Sequence, residues 1–278
     1  MPAPFDIIIP TWNNLPYLQN CIDGIRSHSE AEHHLIVHVN EGTDATADWL
    51  EKEGISFTHS EENIGICEAF NRSMQLAKHD YLLYMNDDMY VLPGWDSALA
   101  RRIPEGRLWM LSATMIEPRP GGNPVVVVAD FGRSLEAFRK KELIRQAGLL
   151  KRADWSGSAW PPLLMPRQAI EAVGGFSTEF SPGMYSDPDL AMKFWKLGNR
   201  FFLGVGDSLV YHFQARSTGR VIKNNGRLTF MKKWGITASA FYKYYLRMGR
   251  SPDLPLSEPP ARKLLPNRIR VKLKSIHW

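Results

Sequence analysis

Short apolar runs alternate with segments of helical period along the first part of the chain. Phe5-Asp6-Ile7-Ile8-Ile9-Pro10 is β-branched, apolar and stopped by proline, which predicts a buried strand. Asn13-Asn14 and Pro16 make a turn, after which Leu15, Leu18, Cys21, Ile22 and Ile25 recur at helical spacing. Leu35 to Asn40 predicts a second strand, and Asp44 an N-cap for a helix carrying Ala47 and Leu50. Ile55 to Thr58 predicts a third strand, Ile66 to Lys78 a helix, and Tyr81 to Met85 a fourth strand. This alternation with short links implies right-handed βαβ units, a parallel sheet and flanking helices. Three polar clusters fall at the carboxyl ends of strands: Thr11-Trp12-Asn13, Asn40-Glu41 and Asn86-Asp87-Asp88. Ligands of open α/β sheets bind at that edge.

The pattern weakens from about Arg101 to Arg152, which predicts an insertion with a Pro/Gly loop at 118–124 and a basic helix over Ser134 to Leu150. Regularity returns at Leu163-Leu164-Met165 and in a helix over Leu190 to Leu197. Arg227 to Met248 predicts one long helix, followed by a Pro-rich linker at 251–260. In that helix Phe230, Trp234, Phe241 and Tyr245 share a face between Lys232, Lys233 and Lys243, fitting either core packing or a membrane surface. The tail from Ala261 carries Arg262, Lys263, Arg268, Arg270, Lys272 and Lys274 with no acid. Leu265, Ile269, Leu273 and Ile276 share one face of it. The expected division is 1–100, 101–226 within the same domain, and a helical, basic extension at 227–278.

Composition narrows the class. At 278 residues, 44% hydrophobic and 23% charged, the chain buries a sizeable core, which excludes disordered and collagen-like classes. Two cysteines, Cys21 and Cys67, argue for reduced thiols rather than a disulfide scaffold. No apolar run approaches the roughly 18 residues of a spanning helix, and Met1 to Asp6 lacks a leader pattern. The expected location is the cytoplasm, with peripheral contact at the inner face of a membrane. Net charge is +5 but uneven. Residues 1–100 hold 16 acids and four Lys/Arg, a net of −12, and the remainder is +17. Such asymmetry marks a basic surface facing an anionic partner.

Two acidic clusters carry candidate chemistry. Asp87 and Asp88 at a strand end repel each other unless a cation sits beside them; a solvated acidic turn is the bland alternative. Asp187 and Asp189, in Ser186-Asp187-Pro188-Asp189, either cap the following helix or supply a general base at its mouth. His212 ends an apolar stretch and fits a core-edge histidine or a metal ligand.

In combination these motifs resemble the family 2 inverting glycosyltransferases, whose domain has the GT-A fold. The resemblance rests on Asp6 to Asn13, Asn63 to Asn71, Tyr84 to Asp88 with Pro93-Gly94-Trp95, Gly174-Gly175-Phe176 through Leu190, and Val210-Tyr211-His212. It implies a GT-A nucleotide-binding domain with a mostly parallel sheet. It also implies a nucleotide-diphosphate sugar donor held by Thr11, Asn13, Asn40, Glu41, Asn63, Gly65, Asn71, Asn86 and Asp87. Asp88 and His212 would take Mn²⁺ or Mg²⁺, and Asp187 would be the base. Asp189, Trp160 and Trp195 would meet a glycan or lipid-linked acceptor, the tryptophans by ring stacking or else as packing. Three departures stand out: Asn40 where the family has Asp, Asn86 at the first position of the DxD motif, and Ser186 in place of an acid.

Three rivals remain, the first also an enzyme and the other two of a different class. A nucleotidyltransferase needs a Gly-rich basic loop after the first strand, which Pro10 to Asn14 lacks. A binding module without catalysis fits Asn40 and Ser186 but not the retained Asp88, Asp187 and His212. A nucleic-acid-binding protein fits the basic half but shows no reading element, so no nucleic acid is expected.

Overall fold

Strands apolar on both sides require a sheet covered on both faces. A computed structural model describes residues 2–214 and 224–276, with side chains described to Leu273. Strands β1 (Asp6–Trp12), β2 (His34–Asn40), β3 (Ser56–Ser60) and β4 (Tyr81–Tyr84) run parallel in the order β3-β2-β1-β4. They are joined by α1 (Leu15–His28), α2 (Thr46–Lys52) and α3 (Gly65–Ser73). Alternation assigns the two faces. Ile8 packs in one apolar layer with Ile36, Tyr84 and Phe70 of α3. Ile7 and Ile9 pack in the other with Val37, Leu83 and Leu18 of α1.

The sheet continues as β4-β9-β6-β10-β5. Its later strands are β5 (Met89–Val91), β6 (Met110–Glu117), the two-residue β7 (Val127–Val128) and β8 (Trp155–Ser156), β9 (Leu163–Pro166) and β10 (Phe202–His212). β6 and β10 are parallel, whereas β9 runs antiparallel to β4 and β6, and β5 antiparallel to β10. The remaining helices are α4 (Trp95–Ala100), α5 (Lys140–Leu150), α6 (Arg167–Ala172), α7 (Ser186–Lys196), α8 (Gly226–Trp234), α9 (Ala238–Ala240) and α10 (Ala261–Ile276). Cys21 and Cys67 are both buried and free.

Two expectations are corrected here. The segment 101–152 is no insertion, because β6 lies inside the sheet with every residue buried. Its Ser and Thr interrupt the apolar run yet find partners: Ser112 pairs with Ser158, and Thr114 donates to the Val205 carbonyl. The expected long helix over 227–248 breaks at Gly235, whose φ of 68° ends α8 in a left-handed cap. The chain resumes in α9 and a wide turn at Phe241–Tyr245. Phe230, Phe241 and Tyr245 then point into the core, which removes the membrane-surface reading of that segment. The Pro-rich stretch after it is also anchored, with Leu256 buried and its N–H donating to the Arg200 carbonyl.

One buried acid ties the opposite end of the sheet. Asp6 accepts from the backbone N–H of Lys78 and His79 at 2.9 and 2.6 Å and pairs with His34 Nδ1 at 2.7 Å. It thereby fixes the entry into β4. Asp6→Ala removes a buried acceptor from two backbone N–H groups and from His34, and is expected to cost on the order of 2–4 kcal/mol. Urea unfolding of the variant checks this, and a loss below about 0.5 kcal/mol would show that water replaces the carboxylate.

Candidate functional site

A cavity of about 360 Å³ opens at the carboxyl ends of β1, β2 and β4. Thr11, Asn40, Asn63, Gly65, Asn86, Asp87, Asp88, Asp187 and His212 all line it. Its floor is built by register. β5 pairs antiparallel with β10 so that His212 sits opposite Met89, next to Asp88. A bulge between Val205 and Leu209 lets β10 follow β6 and still reach that pairing. Parallel pairing of Tyr211 with Ile116 also places Glu117, the last residue of β6, beside His212.

The result is a chain of charged groups. His212 Nε2 lies 3.4 Å from Asp88 Oδ1, and His212 Nδ1 lies 2.8 Å from Glu117 Oε1. Gln214 donates to the other Glu117 oxygen at 2.7 Å. Burial pulls the imidazole downward, but the Asp88 and Glu117 carboxylates outweigh it and carry His212 up to about 10. Burial and the neighbouring Asp88 push Asp87 upward, against a 2.7 Å hydrogen bond from the Thr11 hydroxyl.

The opposite wall comes from the segment before α7. Gly65 opens α3 at φ 74°, and a Cβ there would lie 2.6 Å from Pro182 Cα. The Ile66 N–H donates to the Pro182 carbonyl at 3.0 Å, so the wall is drawn against α3. Asn71 holds the preceding turn, exchanging two 2.8 Å hydrogen bonds with the Phe176 backbone. Tyr185 adopts φ 70° immediately before α7 and is its N-cap, with no side-chain capping bond. Asp187 therefore does not cap the helix. Its Oδ1 is buried without a hydrogen-bond partner, and burial raises its carboxyl to about 7. A charge held this way is costly to the fold.

Several predicted residues lie elsewhere. Asn13 and Glu41 bond to each other at 3.1 Å outside the cavity lining. Asn71 acts on the turn just described. Asp189 is fully buried, neither cap nor cavity group, bonded to Ser177, Trp234 and Lys233 at 2.6, 2.8 and 2.9 Å. Trp195 packs in the core, its indole N–H donating to Glu258 and its ring covered by Arg200. Trp160 is half-buried against Tyr242, while its neighbour Pro161 lines the cavity. Asn40 lines the cavity but spends its amide on the fold. It donates to the Thr11 carbonyl at 3.1 Å and accepts from the Ile64 N–H at 2.9 Å. A carboxylate could not make that first bond. Sequence reading missed Glu117 and Gln214; recognising β6 as a strand would have exposed Glu117 as another polar strand end.

Residues 6–142 match the family model of Glycosyl transferase family 2. This segment belongs to that family. The chain is 23% identical over 184 residues to the uncharacterized protein MT1568 of Mycobacterium tuberculosis (strain CDC 1551 / Oshkosh), covering 62% of this chain and 56% of that one. Its fold resembles S. aureus TarS 1-349, with a TM-score of 0.57 at 16% identity over 75% of this chain and 60% of that one. It also resembles GalNAc-T7, with a TM-score of 0.60 at 14% identity over 87% of this chain and 50% of that one. The fold is therefore GT-A: mixed α/β with a curled central sheet between helices. The chain thus spans between half and three-fifths of the length of these proteins.

Among the described residues no group of three or more His, Cys, Asp or Glu could hold a metal ion. The pair Asp88 and His212 still fits a hard divalent cation that draws its other ligands from water and phosphate. Both donors are largely buried, and Glu117 orients the imidazole through its second nitrogen.

The state of Asp187 has a thermodynamic consequence. Its folded pKa of about 7 lies above the ordinary carboxylate value of 3.8. The folded protein holds the proton longer, so stability from this group is full below about pH 4 and declines up to about pH 7. Asp187→Asn should match wild type at pH 4 and exceed it at pH 8 by on the order of 3 kcal/mol. Urea unfolding at both pH values checks this. Equal stability at pH 8 would show that the carboxylate is solvated or paired.

Proposed function

We propose that this family 2 protein transfers a sugar from a nucleoside diphosphate donor to an acceptor hydroxyl, with inversion at the anomeric carbon. The observation that carries the reading is the Asp187 carboxyl, raised to about 7 by burial with its Oδ1 unpartnered, lining the same cavity as Asp87, Asp88 and His212. A neutral-pH general base needs that poise. Support for the donor class comes from the fold neighbours, since TarS structures hold UDP and UDP-GlcNAc, and that of GalNAc-T7 holds UDP, GalNAc and Mn²⁺.

In this reading residues 1–100 form the donor side. Thr11, Asn40, Asn63, Gly65, Asn86 and Asp87 surround the nucleoside and ribose. Asn13, Glu41 and Asn71 act one step back, holding the loops in place. Asp88 and His212 would hold Mn²⁺ or Mg²⁺, which when bound supplies positive charge to the diphosphate leaving group. Residues 101–226 form the acceptor and catalytic side, with Trp160 and Pro161 at its edge. The acceptor is a glycan or lipid-linked sugar, in polysaccharide assembly.

Asp187 takes the proton of the acceptor hydroxyl as its oxygen bonds to the anomeric carbon. The bond from that carbon to the diphosphate breaks, and the nucleoside diphosphate leaves. A single displacement inverts the carbon and requires no covalent enzyme intermediate. Excluding water from the cavity favours the acceptor over hydrolysis.

Calorimetry with UDP, GDP, dTDP and CDP, with and without Mn²⁺, tests the donor site. One nucleotide should bind with metal, and Asp88→Ala should weaken it by about 2 kcal/mol or more. Asp187→Asn should keep that affinity while its turnover, read as nucleoside diphosphate release, falls by about 10²-fold or more. Wild-type turnover should rise with pH through about 7, as the Asp187 carboxyl ionises. Turnover retained in Asp187→Asn removes Asp187 from the base role, and no nucleotide binding at all removes the donor site.

A further inference from the structure

We propose that α10 and the basic groove beside it form a docking surface for an anionic lipid bilayer. Leu264 and Val271 of α10 pack inward, at 2% and 6% exposure. Leu265, Ile269 and Leu273 stand on another face at 57%, 51% and 59% exposure. Spaced at i, i+4 and i+8, they form a continuous apolar stripe. The other exposed large hydrophobic side chains among the described residues, Val128, Leu149 and Leu197, stand singly on other elements. Lys274 and Ile276 lie beyond the described side chains.

Charge brackets the stripe. α10 contains no acidic residue. Arg262 and Arg268 are exposed on the same helix, and Lys263 and Arg270 turn to a groove of about 560 Å³. Arg227 of α8 and Lys243 complete the basic lining of that groove. An apolar strip flanked by bases is the pattern of a helix lying in a headgroup layer, its arginine and lysine stems reaching outward. Among the described residues no helix is long and apolar enough to cross a membrane, and the contact proposed is one of a helix lying on the surface.

Other occupants satisfy only half of the surface. Nucleic acid would neutralise the bases and leave the apolar stripe in water. A twofold contact with a second copy would cover the stripe but set basic flanks against basic flanks. Anionic lipid meets both the apolar and the charged requirement, each base adding to the attraction. Tyr185 ties this surface to the cavity, since it lines the groove and precedes Asp187 by two residues. The inference does not depend on the transferase reading.

Co-sedimentation of the full chain with phosphatidylcholine vesicles, with and without phosphatidylglycerol, tests it. Binding should be at least about tenfold tighter with the anionic lipid and weaken as salt is raised. Replacing Leu265, Ile269 and Leu273 together by glutamine should lower it about tenfold or more. Arg262→Gln with Arg270→Gln should lower it by about fivefold per base. Circular dichroism and nucleotide binding should be unchanged in both variants, which keeps a folding failure apart from a docking failure. Equal affinity for both vesicles, or variants that bind like wild type, would overturn the proposal. So would a wild-type dimer that the glutamine variant converts to monomer without any vesicle binding.

Discussion

Asp87, Asp88 and Asp187 line one cavity, with Glu117 standing behind its floor. Asp87 and Asp88 are adjacent in so enclosed a place that each resists the other's ionisation unless a compensating charge is near. The imidazole of His212 answers part of the demand, placed between Asp88 and Glu117 by the pairing of β10 with β5 and β6. Thr11 answers another part through its hydrogen bond to Asp87. Asp187 lines the same cavity, and burial alone raises its proton affinity. The bulge in β10, the tight approach of Gly65 to Pro182 and the strained Tyr185 all hold these groups at one edge. Strain and unpaired charge gathered in one place come at a cost in stability that the rest of the fold carries.

The apolar layers explain how that cost is met. β1, β2 and β4 are covered on both faces, so their register is strongly specified and a slip of one residue would exchange the two layers. The polar strand ends are carried to the cavity by this fixed register. Asn40 shows the coupling most directly, because its amide ties the end of β1 to the start of α3 while its side chain borders the cavity. An asparagine at this position is therefore explained by the fold before any ligand is considered.

This also shows which features were legible in the sequence. Strands β1, β2 and β4 were readable because each holds a dense apolar run, although β1 continues through Pro10 to Trp12, and strand ends locate a ligand edge. The second half was not, because β6 carries Ser112 and Thr114, whose partners lie in Ser158 and Val205, far along the chain. Missing β6 hid Glu117. Asp189 and Trp195 stand apart from the cavity for a related reason. Their chemistry suits a binding site, but Trp234, Lys233 and Glu258 claim them in the folded chain. Residue type proposes a role, and only the tertiary partners decide whether the side chain is available for it.

The same reasoning separates the two aromatic or apolar faces of the C-terminal part. Phe230, Phe241 and Tyr245 have the spacing of a surface helix, yet Gly235 breaks the helix and turns them inward. Leu265, Ile269 and Leu273 have similar spacing, but Leu264 and Val271 already supply the inward face of α10. A helix that fills its core contact with one pair of residues and keeps a second apolar row in water has more hydrophobic surface than the domain uses. The bases on either side of that row narrow what can cover it to a surface both apolar and anionic. The α8–α9 segment offers no comparable surplus, because its aromatic side chains are spent on the core beside α7.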